Sequence, residues 1–148
     1  MKDLLNAIKS ALQADLTYVR DSDVYVTEDE NLIPEGVKFP AVGLKDGTVG
    51  YVYEYQGAGP SADFVVTVIA YVELAKKEAS IMGDTATGKK GVLDVIADVA
   101  TSLGSKLLSG QANEARLVAE SASELVTDEE LAVQKKSVTV RYARYGTY

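Results

Sequence analysis

With 148 residues, 47% of them apolar and 25% charged, the chain suits one domain spanning 1–148 and is too apolar for overall disorder. It contains no Cys and no His, which excludes disulfide scaffolds, thiolate and histidine metal sites, and catalysis by Ser-His or Cys-His pairs. Fifteen Lys+Arg against 22 Asp+Glu leave a net charge of -7, a poor general match to nucleic acid.

The first segment, KDLLNAIKSALQADL, carries Leu5, Ile8 and Leu12 on one stripe, broadened by Leu4, Ala11 and Leu16. Lys2, Asp3, Lys9 and Asp15 fall on the wet side, and the spacing predicts an amphipathic helix over residues 2–15. Asp21-Ser22-Asp23 reads as a turn and Val24 to Val26 as a short strand. Residues 27–38, with Glu28, Asp29, Glu30 and Glu35, keep no periodicity and predict an exposed acidic loop, mobile in the free protein.

Lys45-Asp46-Gly47-Thr48 carries an Asp-Gly tight-turn signal, followed by a strand from Val49 to Tyr55 that sets Tyr51, Tyr53 and Tyr55 on one face. After the break QGAGPSAD, residues 64–74 are apolar on both alternating faces and rich in β-branched residues, as a central strand requires. Residues 75–90 form a flexible loop.

The segment from Gly91 repeats Val92, Ile96, Val99, Leu103 and Leu107 at spacings of three and four, predicting a helix near 91–109 that Gly110 ends. Residues 114–126 fit neither the helical nor the strand period cleanly; strand is the preferred reading. Val138, Val140 and Tyr142 alternate with Ser137, Thr139, Arg141 and Ala143 in a closing strand with one polar face. The fold class expected is α+β: a twisted antiparallel or mixed sheet of four to six strands, flanked by the N-terminal helix and the helix near 91–109.

Chemistry-bearing patterns are few. Gly83 to Lys90 has the GxxxxGK spacing of a phosphate-binding loop, but Lys90 stands where a magnesium-coordinating Ser or Thr is needed. A glycine-rich connector that caps the following helix is the better reading. The acidic runs 28–30 and 128–130 lack the alternating ligand spacing of a calcium loop and read as solvated charge. No catalytic, cofactor-binding or metal-binding residue is assigned.

Nine Tyr against two Phe and no Trp favour an aromatic with a polar tip, suited to surfaces wet in the free subunit and covered in an assembly. Half-buried sheet tyrosines explain the same skew equally well. The candidate contact residues are Phe39, Tyr51, Tyr53, Tyr55, Lys76, Lys77, Met82, Lys89, Lys90, Tyr142 and Tyr145, with Tyr148 at the end of the chain.

The order of elements, with the segment Phe39-Pro40-Ala41-Val42-Gly43, the helix opening Gly91-Val92-Leu93-Asp94 and the closing Val138-Thr139-Val140-Arg141-Tyr142, resembles the tail-terminator (tail completion) family of long-tailed bacteriophages. The resemblance runs over nearly the whole chain as a pattern of elements. It implies a non-enzymatic virion protein, assembled in the bacterial host cytoplasm, that closes into a ring, hexameric in that family. The ring caps the tail tube, stops its polymerisation and presents the surface that joins the head–neck connector. The implied partners are copies of itself, the tube protein and the connector, with non-specific contact to DNA in the lumen. The loop from Ala75 to Lys90 is then expected to make inter-ring contacts, with Lys76, Lys77, Lys89 and Lys90 at its base. A head-closure or tube protein of the same system is the alternative, and a small nucleotide-binding enzyme acting through residues 83–90 a remote one.

No apolar run approaches the ~20 residues of a membrane-spanning helix, and residues 1–16 lack the basic flank and solid apolar stretch of a signal peptide. A protein of the cell interior, without a membrane partner, is expected.

Overall fold

The computed structural model describes residues 1–53, 61–73, 77–104, 106–128 and 131–145, with the backbone alone for Lys77, Ser109, Asp128 and Leu131. The class is the expected α+β, built on a mixed six-stranded sheet. In chain order the elements are α1 (Lys2–Asp15), β1 (Val24–Val26), β2 (Ala41–Val52), β3 (Ser61–Glu73), α2 (Lys77–Met82), α3 (Val92–Leu103), β4 (Glu114–Glu120), β5 (Glu124–Asp128) and β6 (Leu131–Arg144). Strands lie in the order β1-β2-β3-β6-β4, and β5 pairs with β6 beside β4. The β1–β2 pair is parallel and every other pair antiparallel.

The alternation of β3 decides the layers. Ala62, Phe64, Val66, Val68, Ala70 and Val72 point to one face and join Leu4, Leu5, Ile8 and Leu12 of α1 and Val92, Val95, Ile96, Val99 and Leu103 of α3 in the main core. On the opposite face Ile69 and Tyr71 meet Ala41 and Val133 in a second, smaller core. The central placement expected for β3 is observed, and its apolar content on both sides follows from cover on both sides.

That second cover is the acidic loop. Far from standing free, residues 27–38 pack Ile33 and Val37 against the smaller core, next to Phe39, which precedes a cis peptide bond to Pro40. The apolar side chains interspersed among the acids do this, so the segment has an inner and an outer side without regular structure.

Three further expectations need correction. The Asp46-Gly47 signal is not a turn: β2 runs straight through it, with a register shift between Asp46 and Val49. Both halves of β2 pair with the same neighbour, β3, so the chain cannot reverse there, and the one extra residue forms a bulge. Gly47 is needed because a Cβ would lie 2.7 Å from the Val65 carbonyl oxygen. The helix near 91–109 stops at Leu103, capped by Gly104, and Leu107 is exposed; Leu108–Gly110 form a separate short turn in which Leu108 has left-handed φ. The stretch read as a flexible loop contains α2 and a tight turn closed by Asp84 and Lys89. Residues 114–126 are strand, as preferred, but divided into β4 and β5 along one edge of β6. Among the described residues, no helix is long and apolar enough to cross a membrane.

Candidate functional site

The amides of Asp84, Ala86 and Lys89 are bonded within the Gly83 to Lys90 segment, and that of Gly83 to α2. Gly83 N–H donates to the Ala79 carbonyl, Asp84 and Lys89 exchange both backbone hydrogen bonds, and Ala86 N–H donates to Asp84 Oδ1. At the start of α3, Gly91 N–H donates to Asp94 Oδ2 at 3.0 Å. A phosphate cradle needs such donors pointing outward at the ligand; here they close a turn and cap a helix. The capping group is Asp94, inside the helix, rather than a residue of the connector.

Lys90, level with that turn, reaches Asp98 Oδ2 at 3.3 Å and lies 5.2 Å from the centre of the Tyr18 ring. Tyr18 donates its hydroxyl to the same Asp98 oxygen at 2.7 Å. Burial first, then this hydrogen bond to a carboxylate, pushes the Tyr18 hydroxyl far above its ordinary pKa. Tyr18, Phe39, Pro40, Val72 and Lys89 line a shallow apolar groove of about 280 Å³. Phe39, Lys89 and Lys90 are thus brought together, while Met82 is well exposed at the end of α2.

On the sheet's second face, Lys135 is buried, and its Nζ lies 2.9 Å from Asn31 Oδ1, 3.2 Å from Glu30 Oε2 and 3.5 Å from Glu124 Oε2. One carboxylate of the acidic loop, Glu30, is therefore paired with a cation rising from β6. Among the described residues, no group of three or more Asp or Glu converges as metal ligands do.

The uncovered half of this face carries a cleft of about 300 Å³ lined by Asp63, Glu114, Arg116, Arg141 and Tyr145. Arg116 and Arg141 are directly opposed across β4 and β6. Each has a carboxylate: Arg141 pairs with Asp63 and Arg116 with Glu114. Tyr145 also donates to Glu114. That hydrogen bond, reinforced by Arg116, lowers the Glu114 carboxyl, and the same contact raises the Tyr145 hydroxyl. Like charges held this close need such partners, and the result is a charge-compensated network.

The tyrosines separate into two groups. Tyr51, Tyr53 and Tyr145 are exposed as surface contacts would be. Tyr142, expected among them, is a core residue at 0% exposure on the helix side of β6, because its parity follows Val138 and Val140. Tyr55, Lys76 and Tyr148 lie outside the described residues, as does the side chain of Lys77.

Sequence reasoning missed a further surface. Leu117 and Val118 on β4 and Leu125 on β5 are 41%, 56% and 55% exposed. Their signal was the poor periodicity of residues 114–126. An edge strand wet on both faces has no reason to alternate. The chain matches no protein-family model and no curated protein.

Proposed function

We propose that this chain is a structural protein that closes into a ring on the tail tube of a bacteriophage, as a tail terminator does, and acts by shape alone. The observation that carries the reading is an acidic domain with compensated ionic clusters and apolar groups left exposed after β2, at the end of α2 and on β4 and β5. Tyr53, Met82, Leu117, Val118 and Leu125 are all exposed. Such groups are expected to be covered in an assembly. The order of elements and the closing Val-Thr-Val-Arg-Tyr strand are the features on which the family resemblance rests. A ring ends tube growth because one of its faces matches the tube and the other does not repeat it.

Electron microscopy of the purified chain, with and without tube protein, tests this. The expected result is a ring one subunit thick that binds tube ends and halts their growth. Open-ended tubes built by the chain itself would favour a tube protein, and a monomer that ignores tubes would remove the reading. Within it, the exposed Met82 belongs to the inter-ring contact, and Met82→Glu is expected to weaken tube capping without unfolding the domain. Calorimetry with ATP addresses the enzyme alternative: no heat of binding is expected.

A further inference from the structure

We infer that residues 28–35 form a lid over the second face of the sheet, latched by the Lys135 ammonium, which opens while the sheet stays folded. The lid is bolted at its two ends. At one, the Thr27 N–H donates to the Leu44 carbonyl at 2.8 Å. At the other, Arg20 Nη2 donates to the Gly36 carbonyl at 3.2 Å and the Lys38 N–H to Asp23 Oδ1 at 3.2 Å. Gly36 turns the chain there with a left-handed φ of +77°, and a Cβ on it would meet no atom within 4 Å.

Between the bolts the backbone bonds locally. The Leu32 N–H donates to the Asp29 carbonyl and the Asn31 N–H to Asp29 Oδ1. Among the described residues, no backbone–backbone hydrogen bond joins residues 28–35 to a strand. Side chains hold this stretch to the sheet: Lys135 bonds Glu30 and Asn31, Tyr71 bonds the Glu30 carbonyl, and Ile33 packs on the smaller core.

The Lys135 contact is the one closest to balance. Its side chain is 8% exposed, whereas that of Glu30 is 41% exposed. The penalty of closure therefore falls on the ammonium, which exchanges water for Glu30 Oε2, Asn31 Oδ1 and the Glu124 carboxylate of β5. A desolvated charge recovers its hydration when its cover lifts, so a buried ion pair adds little net hold. Glu28 and Asp29, which share this cleft with Lys45, are exposed with the lid closed and regain nothing. Opening hydrates Lys135 and bares the part of the smaller core beneath Ile33.

Hydrogen exchange at the Asn31 and Leu32 amides, which bond to Asp29, tests this against exchange in β3. In the parent chain, low urea is expected to quicken exchange in β3 and leave the two lid amides almost unaffected, because lid opening exposes far less surface than unfolding. Glu30→Gln leaves the ammonium buried without its lid carboxylate. It is expected to speed lid exchange about 10- to 100-fold, the range set by a hydrogen bond to a charged group. Adding Lys135→Met removes the buried charge, and lid exchange is expected to return to the parent rate. Lid and β3 amides that respond alike to urea would overturn the lid. Unchanged exchange in Glu30→Gln, or quickened exchange that Lys135→Met fails to restore, would overturn the latch.

Discussion

The hydroxyl of Tyr71 donates to the backbone carbonyl of Glu30 across 2.6 Å, tying the acidic loop to the central strand of the sheet. The ring of Tyr71 stacks with Tyr25, centroids 6.2 Å apart. Burial raises the Tyr71 hydroxyl above its ordinary pKa, so it remains a donor across the physiological range. Tyr71→Phe is expected to cost ~1 kcal/mol and to quicken amide exchange over residues 29–33. Unchanged exchange would mean that Ile33, Val37 and the Lys135 contacts hold the loop alone.

Tyr142 carries a buried hydroxyl with no hydrogen-bond partner among the described residues, and burial alone pushes its pKa up. Removing a polar atom that is desolvated and unpaired relieves a penalty of ~1–3 kcal/mol at most. Tyr142→Phe is therefore expected to be neutral or stabilising in urea melts, whereas Tyr142→Ala leaves a cavity and costs ~3–5 kcal/mol. A clear loss for Tyr142→Phe would show that the hydroxyl has a partner in the working protein.

Arg20 forks onto Asp23, with Nε to Oδ2 at 2.6 Å and Nη2 to Oδ1 at 3.0 Å. The Lys38 N–H adds a third donor at 3.2 Å. The Arg20 contact chiefly holds the Asp23 carboxyl below its ordinary 3.8. A carboxyl depressed on folding contributes stability that is full above its unfolded value and fades as pH falls through the folded one. Asp23→Asn is expected to lower stability at neutral pH by ~1–2 kcal/mol. The gap to the parent should close below the ordinary carboxylate range; a gap independent of pH would place the effect in packing.

Two glycines of the 83–90 turn should respond differently. Gly83 and Gly88 both have left-handed φ, +81° and +71°. A Cβ on Gly83 would collide with the Asp94 carboxylate, while one on Gly88 meets open space. Gly83→Ala is expected to cost ~2–3 kcal/mol and Gly88→Ala about 1 kcal/mol, the latter from backbone strain alone. Equal losses in thermal melts would mean that the start of α3 yields to the added methyl.

Local periodicity carries further for some elements than for others. The stripe Leu5, Ile8, Leu12 marked α1 because its core contacts lie on one side of one helix. The doubly apolar β3 was readable for the same reason: both its faces are covered. Asp46-Gly47 misled because a bulge and a turn use the same residues, and only pairing of both flanks with β3 separates them. Leu107 misled because its spacing continues the α3 stripe past the point where Gly104 ends the helix.

The candidate surfaces show the same division. The exposure of Tyr51 and Tyr53 was compatible with their composition, but the burial of Tyr142 was set by which face of β6 the helices cover. The Arg116–Arg141 apposition joins strands distant in the chain and has no local signature.

By itself the amino-acid order determined the class of fold, the first helix, the central strand and the want of His and Cys chemistry. These depend on composition and on neighbours a few positions apart. Tertiary structure alone decided that the acidic loop covers part of the sheet's second face and that Arg116 of β4 stands opposite Arg141 of β6. Each of those is a relation between segments far apart in the chain, and pairing energy between such segments leaves no period in either one.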